Sequence, residues 1–166
     1  TALANELPID ETNAEFEAQL PTIIDYAEGR IYRDLDLLST VVRDSTAMLT
    51  INSRNFTLPS TGGRFVTITE LNVFTPSGST TTRNPLTQVS RSVLDFTWPS
   101  DIASGTTVPN IYTMLTDQEI MVGPPPTDTY TMEVVGTIRP APLAPDNPNT
   151  FLTDYLSDLF FAAAMV

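Results

Sequence analysis

Paired carboxylates are the most conspicuous candidates for chemistry: Glu15 with Glu17, Asp34 with Asp36, and Asp117 with Glu119. Two such acids across a glycosidic bond can hydrolyse it. On a helix, however, residues two apart point to different faces. Asp117 and Glu119 flank a predicted hairpin turn, where acids are ordinary. Asp44-Ser45-Thr46 has the acid and hydroxyls of an aspartic-protease loop, but the required Gly is missing and there is no second copy. Asp146-Asn147-Pro148-Asn149 offers oxygens for calcium without the spaced acids of an EF-hand loop; a helix cap accounts for it better. Phe96, Trp98 and Tyr112 could stack a sugar or a base, yet at strand spacing they read as core. None of these is a strong active-site signal.

The absent residue types exclude more. The 166 residues include no Cys and no His, and all eight cations are Arg. Without Cys there is no disulfide framework, thiolate metal site or cysteine nucleophile. Without His there is no Ser-His-Asp triad and no imidazole ligand. Without Lys, Schiff bases and the P-loop lysine are gone. Carboxylate, Tyr, Arg and hydroxyl chemistry remain. That is a narrow base for an enzyme, so a non-enzymatic structural or binding role without a cofactor is expected.

The formal charge is -12 and the isoelectric point about 4.1. Such a balance argues against wrapping nucleic acid and against anionic membrane surfaces. The charge is uneven. Residues 1–39 carry nine acids and two Arg, residues 40–139 eight acids and six Arg, and residues 140–166 three acids and no cation. The acidity serves solubility, or it repels a polyanion that must pass without sticking. Thr1 to Pro8 lacks the basic and apolar regions of a signal peptide. The apolar run Leu159 to Val166 is too short to span a bilayer. A start at Thr1 fits a processed chain or one that begins upstream.

Texture divides the chain into helical, β and helical zones. Thr12-Asn13-Ala14-Glu15 fits a capping box, followed by Phe16 and Leu20 on one face. Pro21 disfavours helix at Leu20 and suits the start of a second helix, in which Ile23, Ala27, Ile31 and Leu35 recur every four residues. Most of the threonines lie between Thr50 and Thr137, where β-branching favours strands. Strand candidates are Met48–Ile51, Phe56–Leu58, Val66–Val73 with a face switch near Glu70, Val93–Trp98, Ile111–Leu115, Ile120–Val122 and Tyr130–Ile138. In the last, Thr131 and Glu133 mark a wet face. The polar stretch Ser77–Asn84 reads as an exposed loop. After Pro140-Ala-Pro-Leu-Ala-Pro145, a stiff extended linker, Asn149 or Thr150 caps a last helix with a wide apolar stripe. It reaches Val166 without a polar stop, so the chain is expected to continue or a partner to cover that end. The expected fold is α+β: 1–39 and 140–166 as a small helical bundle, with an antiparallel sandwich or barrel-like region, 40–139, inserted.

The order of these segments resembles a known family. Leu20-Pro21 through Ala27-Glu28-Gly29-Arg30-Ile31-Tyr32-Arg33-Asp34-Leu35 is similar to the Pro-led first core helix of tailed-phage head–tail connector (adaptor) proteins. Phe56-Thr57-Leu58-Pro59 resembles that family's short strand. Val108-Pro109-Asn110-Ile111-Tyr112 and Glu119 to Pro126 resemble its Pro-x-x-Tyr strand and the strand entering a Pro-rich turn. Tyr130–Val134 and Asn149–Leu159 resemble its next strand and closing helix. Gly29 stands where the family usually has Ala.

The resemblance implies a virion protein of the neck: a ring subunit, dodecameric, below the portal, that extends the DNA channel and joins capsid to tail. Its partners would be copies of itself, the portal protein and tail proteins, with DNA passing unbound and no membrane. Ring-contact candidates are Tyr26, Arg30, Arg33, Tyr155 and Phe160; channel-lining candidates are the acids Asp25, Glu28, Asp34 and Asp36. Two alternatives are a tail-tube, tail-terminator or decoration protein, and a glycan-binding β-sandwich module built on Trp98 and the acid pairs.

Overall fold

The computed structural model describes residues 14–77, 80–102 and 105–165. The fold is mixed α+β, with helices towards both ends of the chain and strands in the middle. It divides into two compact units, Thr1–Ser39 with Pro140–Val166, and Thr40–Arg139.

In the first unit, α1 spans Ala14–Asp34. It does not break at Pro21 as expected. The Glu17 carbonyl loses its intrahelical partner there, but Glu17 and Pro21 are both exposed, so water can take the bond and tertiary packing holds the axis. Phe16, Ala27 and Ile31 bury one stripe. The expected cap at Thr12 lies outside the described residues. At the C-terminal side the apolar run forms two helices, α3 (Phe151–Tyr155) and α4 (Ser157–Ala164), broken at Leu156. Thr150 caps α3: its hydroxyl accepts from the Thr153 N–H, and the Thr153 hydroxyl accepts from the Thr150 N–H. The face of α1 packs on α4. Val166, the expected helix end, lies outside the described residues.

The Pro140–Pro145 segment is not an extended rod. Ala144 and Asn147 pair across a tight turn, and the Asn147 amide donates to the carbonyls of Ala141 and Pro142. Prolines fix φ but leave ψ free to bend, and Asn147 supplies the donors that hold the bend.

The second unit contains two sheets. A curled antiparallel sheet, a half-barrel, holds β1 (Val41–Asp44), β2 (Met48–Leu49), β4 (Gly63–Ser77), β5 (Thr80–Pro85) and β9 (Tyr130–Pro140). Its order is β1-β9-β4-β5, with β2 also on β9. The second sheet is β3-β8-β7-β6, made of β3 (Asn55–Thr57), β6 (Thr87–Gln88), β7 (Ile111–Met114) and β8 (Glu119–Gly123). Its pairs are antiparallel except β6 with β7, which run parallel. Side chains of both sheets form one core, including Leu49, Phe56, Phe65, Leu71, Ile120, Val122, Met132 and Val134.

Three expectations are corrected here. In the stretch Ser77–Asn84, Thr80–Asn84 are strand rather than loop, with Thr75 opposite Thr82 and Val73 opposite Asn84; Gly78 and Ser79 lie outside the described residues. Polar threonines still favour a pleated backbone when a partner strand is available. Val93–Trp98 is not a strand but lies mostly in α2 (Arg91–Thr97). The Ser90 hydroxyl accepts from the Val93 N–H, and only Leu94 buries. Finally, Val66 faces water; Phe65, Leu71 and Val73 point inward, with Ile68 packed at the core edge.

Candidate functional site

Exposed acids of the helical unit lie on and just after α1, and also at Asp146, Asp154 and Asp158. Glu15 and Glu17 are exposed in its first turn. Asp25, Asp34 and Asp36 are also exposed. Asp34 contacts Arg33 at 3.2 Å and Arg30 at 4.0 Å, pairs that contribute a few tenths of a kcal/mol at most at such exposure. Glu28 departs from the expected set. It is buried and accepts from the Leu143 N–H at 3.1 Å. It fixes the proline-rich segment to α1 and is withdrawn from the surface. Of the expected ring-contact residues, Tyr26 and Tyr155 are exposed, Arg33 is exposed, and Arg30 and Phe160 are half-buried. The rings of Phe151 and Tyr155 pack 5.2 Å apart.

The β unit contains a polar cluster on the face of β9 that the alternation of Thr131 and Glu133 marks as wet. Glu133 on β9 is 0% exposed, while the side chains of its partners Arg43 on β1 and Arg83 on β5 are 64% and 46% exposed. Both guanidinium groups donate to it, and the buried Asn72 amide on β4 donates at 3.1 Å. Arg83 also reaches Glu70 at 3.2 Å. The chain of contacts therefore runs across four neighbouring strands. A carboxylate this buried requires paired, hydrogen-bonded partners, and the two arginines also roof it from water. The signal in the sequence was an acid inside the apolar run Tyr130–Ile138. Which cations would cover it depended on strand order.

A second cluster centres on Arg54, whose side chain is 5% exposed. It donates to Asp95 at 3.3 Å and Asp101 at 3.4 Å, and its Nε has no partner. Arg54 thereby ties α2 and the segment after it to the β3 region. With Leu94 buried and Asp95 held, Phe96 is left 90% exposed; Val93 in the same helix and Ile102 further along the chain are exposed as well.

The other candidates take structural roles. Asp117 pairs with Arg64 in the turn between β7 and β8. Asp44 accepts from the Thr46 N–H at 2.8 Å and its hydroxyl at 2.6 Å, closing the turn from β1 to β2. Asn147 spends its amide on the linker bend. Tyr112 lies in the core, where burial pushes its phenol pKa up. Phe96, Trp98 and Tyr112 thus form no shared stacking face. Among the described residues, no group of three acids could hold a metal ion, and no helix is long and apolar enough to cross a membrane.

What recurs is ion pairing used to fix surfaces, with apolar side chains left outside them. Compared with known families, residues 1–166 match SU10 adaptor protein, and the chain belongs to that family. It is therefore a phage adaptor protein, a structural component of the virion that contacts other phage structural proteins. No curated protein matches the chain.

Proposed function

We propose that the chain is the subunit of a homo-oligomeric ring, dodecameric in our reading, that sits in the neck between portal and tail and lets DNA pass through its lumen without binding it. The observation that carries this reading is the acidic helical unit. Asp25, Asp34 and Asp36 stand exposed on or just after α1, in the part of the chain with twelve acids and two cations. Phosphate repels such a surface, so a polyanion slides past it. The ring contacts use Tyr26, Arg30, Arg33, Tyr155 and Phe160, which lie at the surface or half-buried in the same unit. The adaptor family supports a role between two larger assemblies.

Two measurements test it. Imaging of intact particles should place a ring of this chain between portal and tail; a subunit found elsewhere, or singly, overturns the reading. Reversing Asp25, Asp34 and Asp36 to Lys should slow DNA ejection while particles still assemble. Unchanged ejection removes the acidic lining from the proposal.

A further inference from the structure

The far end of the β4–β5 hairpin is thinly attached to the rest of the β unit. Gly136 of β9 lies beside Thr67 and Ile68 of β4. Counted along antiparallel strands, β9 therefore begins near the level of Val73, and past that level β4 and β5 pair only with each other. Two strands without a third neighbour are marginal in water. β5 gains little from burial: Thr80, Thr81, Thr82 and Arg83 are exposed and Asn84 is half-buried. The Asn84 amide stays within the hairpin, donating to the carbonyls of Val73 and Thr82 and to the Thr75 hydroxyl. At the base the anchoring is firm. Leu86 lies in the core, and its N–H donates to the Leu71 carbonyl at 2.8 Å.

From β5, Arg83 reaches back to the sheet. It donates to Glu133 on β9 and contacts Glu70 on β4 at 3.2 Å. Glu133 is fully buried, yet it does not depend on Arg83 alone, because Arg43 and Asn72 also donate to it. If Arg83 leaves, the carboxylate keeps a cation and an amide, and the penalty of a stranded buried charge is avoided. Arg83 in turn keeps Glu70 and water. A cavity of about 390 Å³, lined by Glu70, Asn72, Arg83, Pro85 and Leu86 among others, opens beside the base of the hairpin. It gives the guanidinium room to change partner.

The two sides of this arrangement differ in stability. Regions with few buried apolar contacts open locally, at far less than the free energy of global unfolding. β5 is such a region, and the core behind it, with Leu71, Val73, Met132 and Val134, is not.

We propose that β5 is a latched strap. The bond from Arg83 to Glu133 holds it down, and release of that bond lets the hairpin end swing about its Leu71–Leu86 base while the core keeps its form. Arg43 is the part of the device that stays behind and neutralises Glu133 in the open state.

Hydrogen exchange of the full chain tests this. In Arg83→Gln the amides of residues 80–84 should exchange at least tenfold faster, while those of β7, β8 and β9 and the thermal midpoint stay as in the parent. Unchanged exchange at 80–84 overturns the latch, because the ladder alone then holds the strap. Faster exchange throughout the β unit with a lowered midpoint also overturns it, because Arg83 is then a strut of the whole fold. Arg43→Gln is the matched control. It removes the other cation from Glu133 and should leave 80–84 at the parent rate; equal acceleration by both variants overturns the assignment to Arg83. The chain has no Cys, so nitroxide labels on Thr57→Cys and Thr82→Cys supply a second arm. Their distance distribution should broaden and lengthen when Arg83→Gln is added, and an unchanged distribution overturns the swing.

Discussion

At the scale of single residues, Glu133 shows how a buried charge is tolerated. Its carboxylate has two arginines and an amide as donors. The arginines are half in water, so either can find solvent if the acid is removed; the acid has no such escape. We therefore expect an asymmetry. Arg43→Ala combined with Arg83→Ala, which strands the carboxylate, should cost roughly 3–5 kcal/mol, and Glu133→Gln clearly less. Urea unfolding of the variants measures both, and equal costs would show that the arginines act by packing alone. Tyr112 gives a second prediction. Burial raises its pKa above the ordinary 10.0, so the folded state keeps a proton that the unfolded chain has lost. Its contribution to stability is full below pH 10.0 and is lost as pH rises through the folded value. In Tyr112→Phe the alkaline loss of stability should be smaller, seen as a flatter unfolding midpoint against pH.

At the scale of elements, close approach in the half-barrel depends on Gly136. It sits on β9 opposite Val42 of β1. On the other side, a Cβ at this position would lie 2.1 Å from the carbonyl oxygen of Thr67 on β4. No rotamer relieves a clash with backbone, so the strands would have to separate. Gly136→Ala should destabilise the β unit by roughly 1–3 kcal/mol, the usual cost of overpacking, where Gly→Ala in an open strand would be neutral or favourable. Thermal unfolding followed by the near-UV signal of the β unit checks this. The elements that depart from expectation do so for different reasons. Val93–Trp98 is apolar at both the strand and the helix period, and the deciding signal was the Ser90 cap rather than hydropathy. β5 has almost no apolar residue, and it is a strand because β4 offers it a ladder.

At the scale of the whole molecule, the -12 charge governs association. Copies repel one another over about 30 Å at 0.01 M salt and about 10 Å at 0.1 M. Assembly of the proposed ring should therefore strengthen as salt rises across that range, measured by sedimentation of the subunit with portal-bearing particles. Assembly that weakens steadily with salt would mean that a few cross-subunit ion pairs outweigh the net repulsion.

The sequence by itself determined the chemistry that is absent, the alternation of helical, β and helical zones, and the resemblance to adaptor proteins. The first two follow from residue types and periodicity, which are local; the resemblance rests on the order of short motifs along the chain. It could not say that Glu28 and Glu133 turn inward while Asp25 and Asp34 stay out, since charge alone makes all four look like surface. Only the tertiary structure decided this, because burying a carboxylate depends on donors that arrive from distant chain: the Leu143 N–H, 115 residues away from Glu28, and Arg43, 90 residues away from Glu133. The same holds for the segment around Phe96, where the neighbouring Asp95 is held by Arg54, 41 residues away, in a pairing that no local pattern encodes.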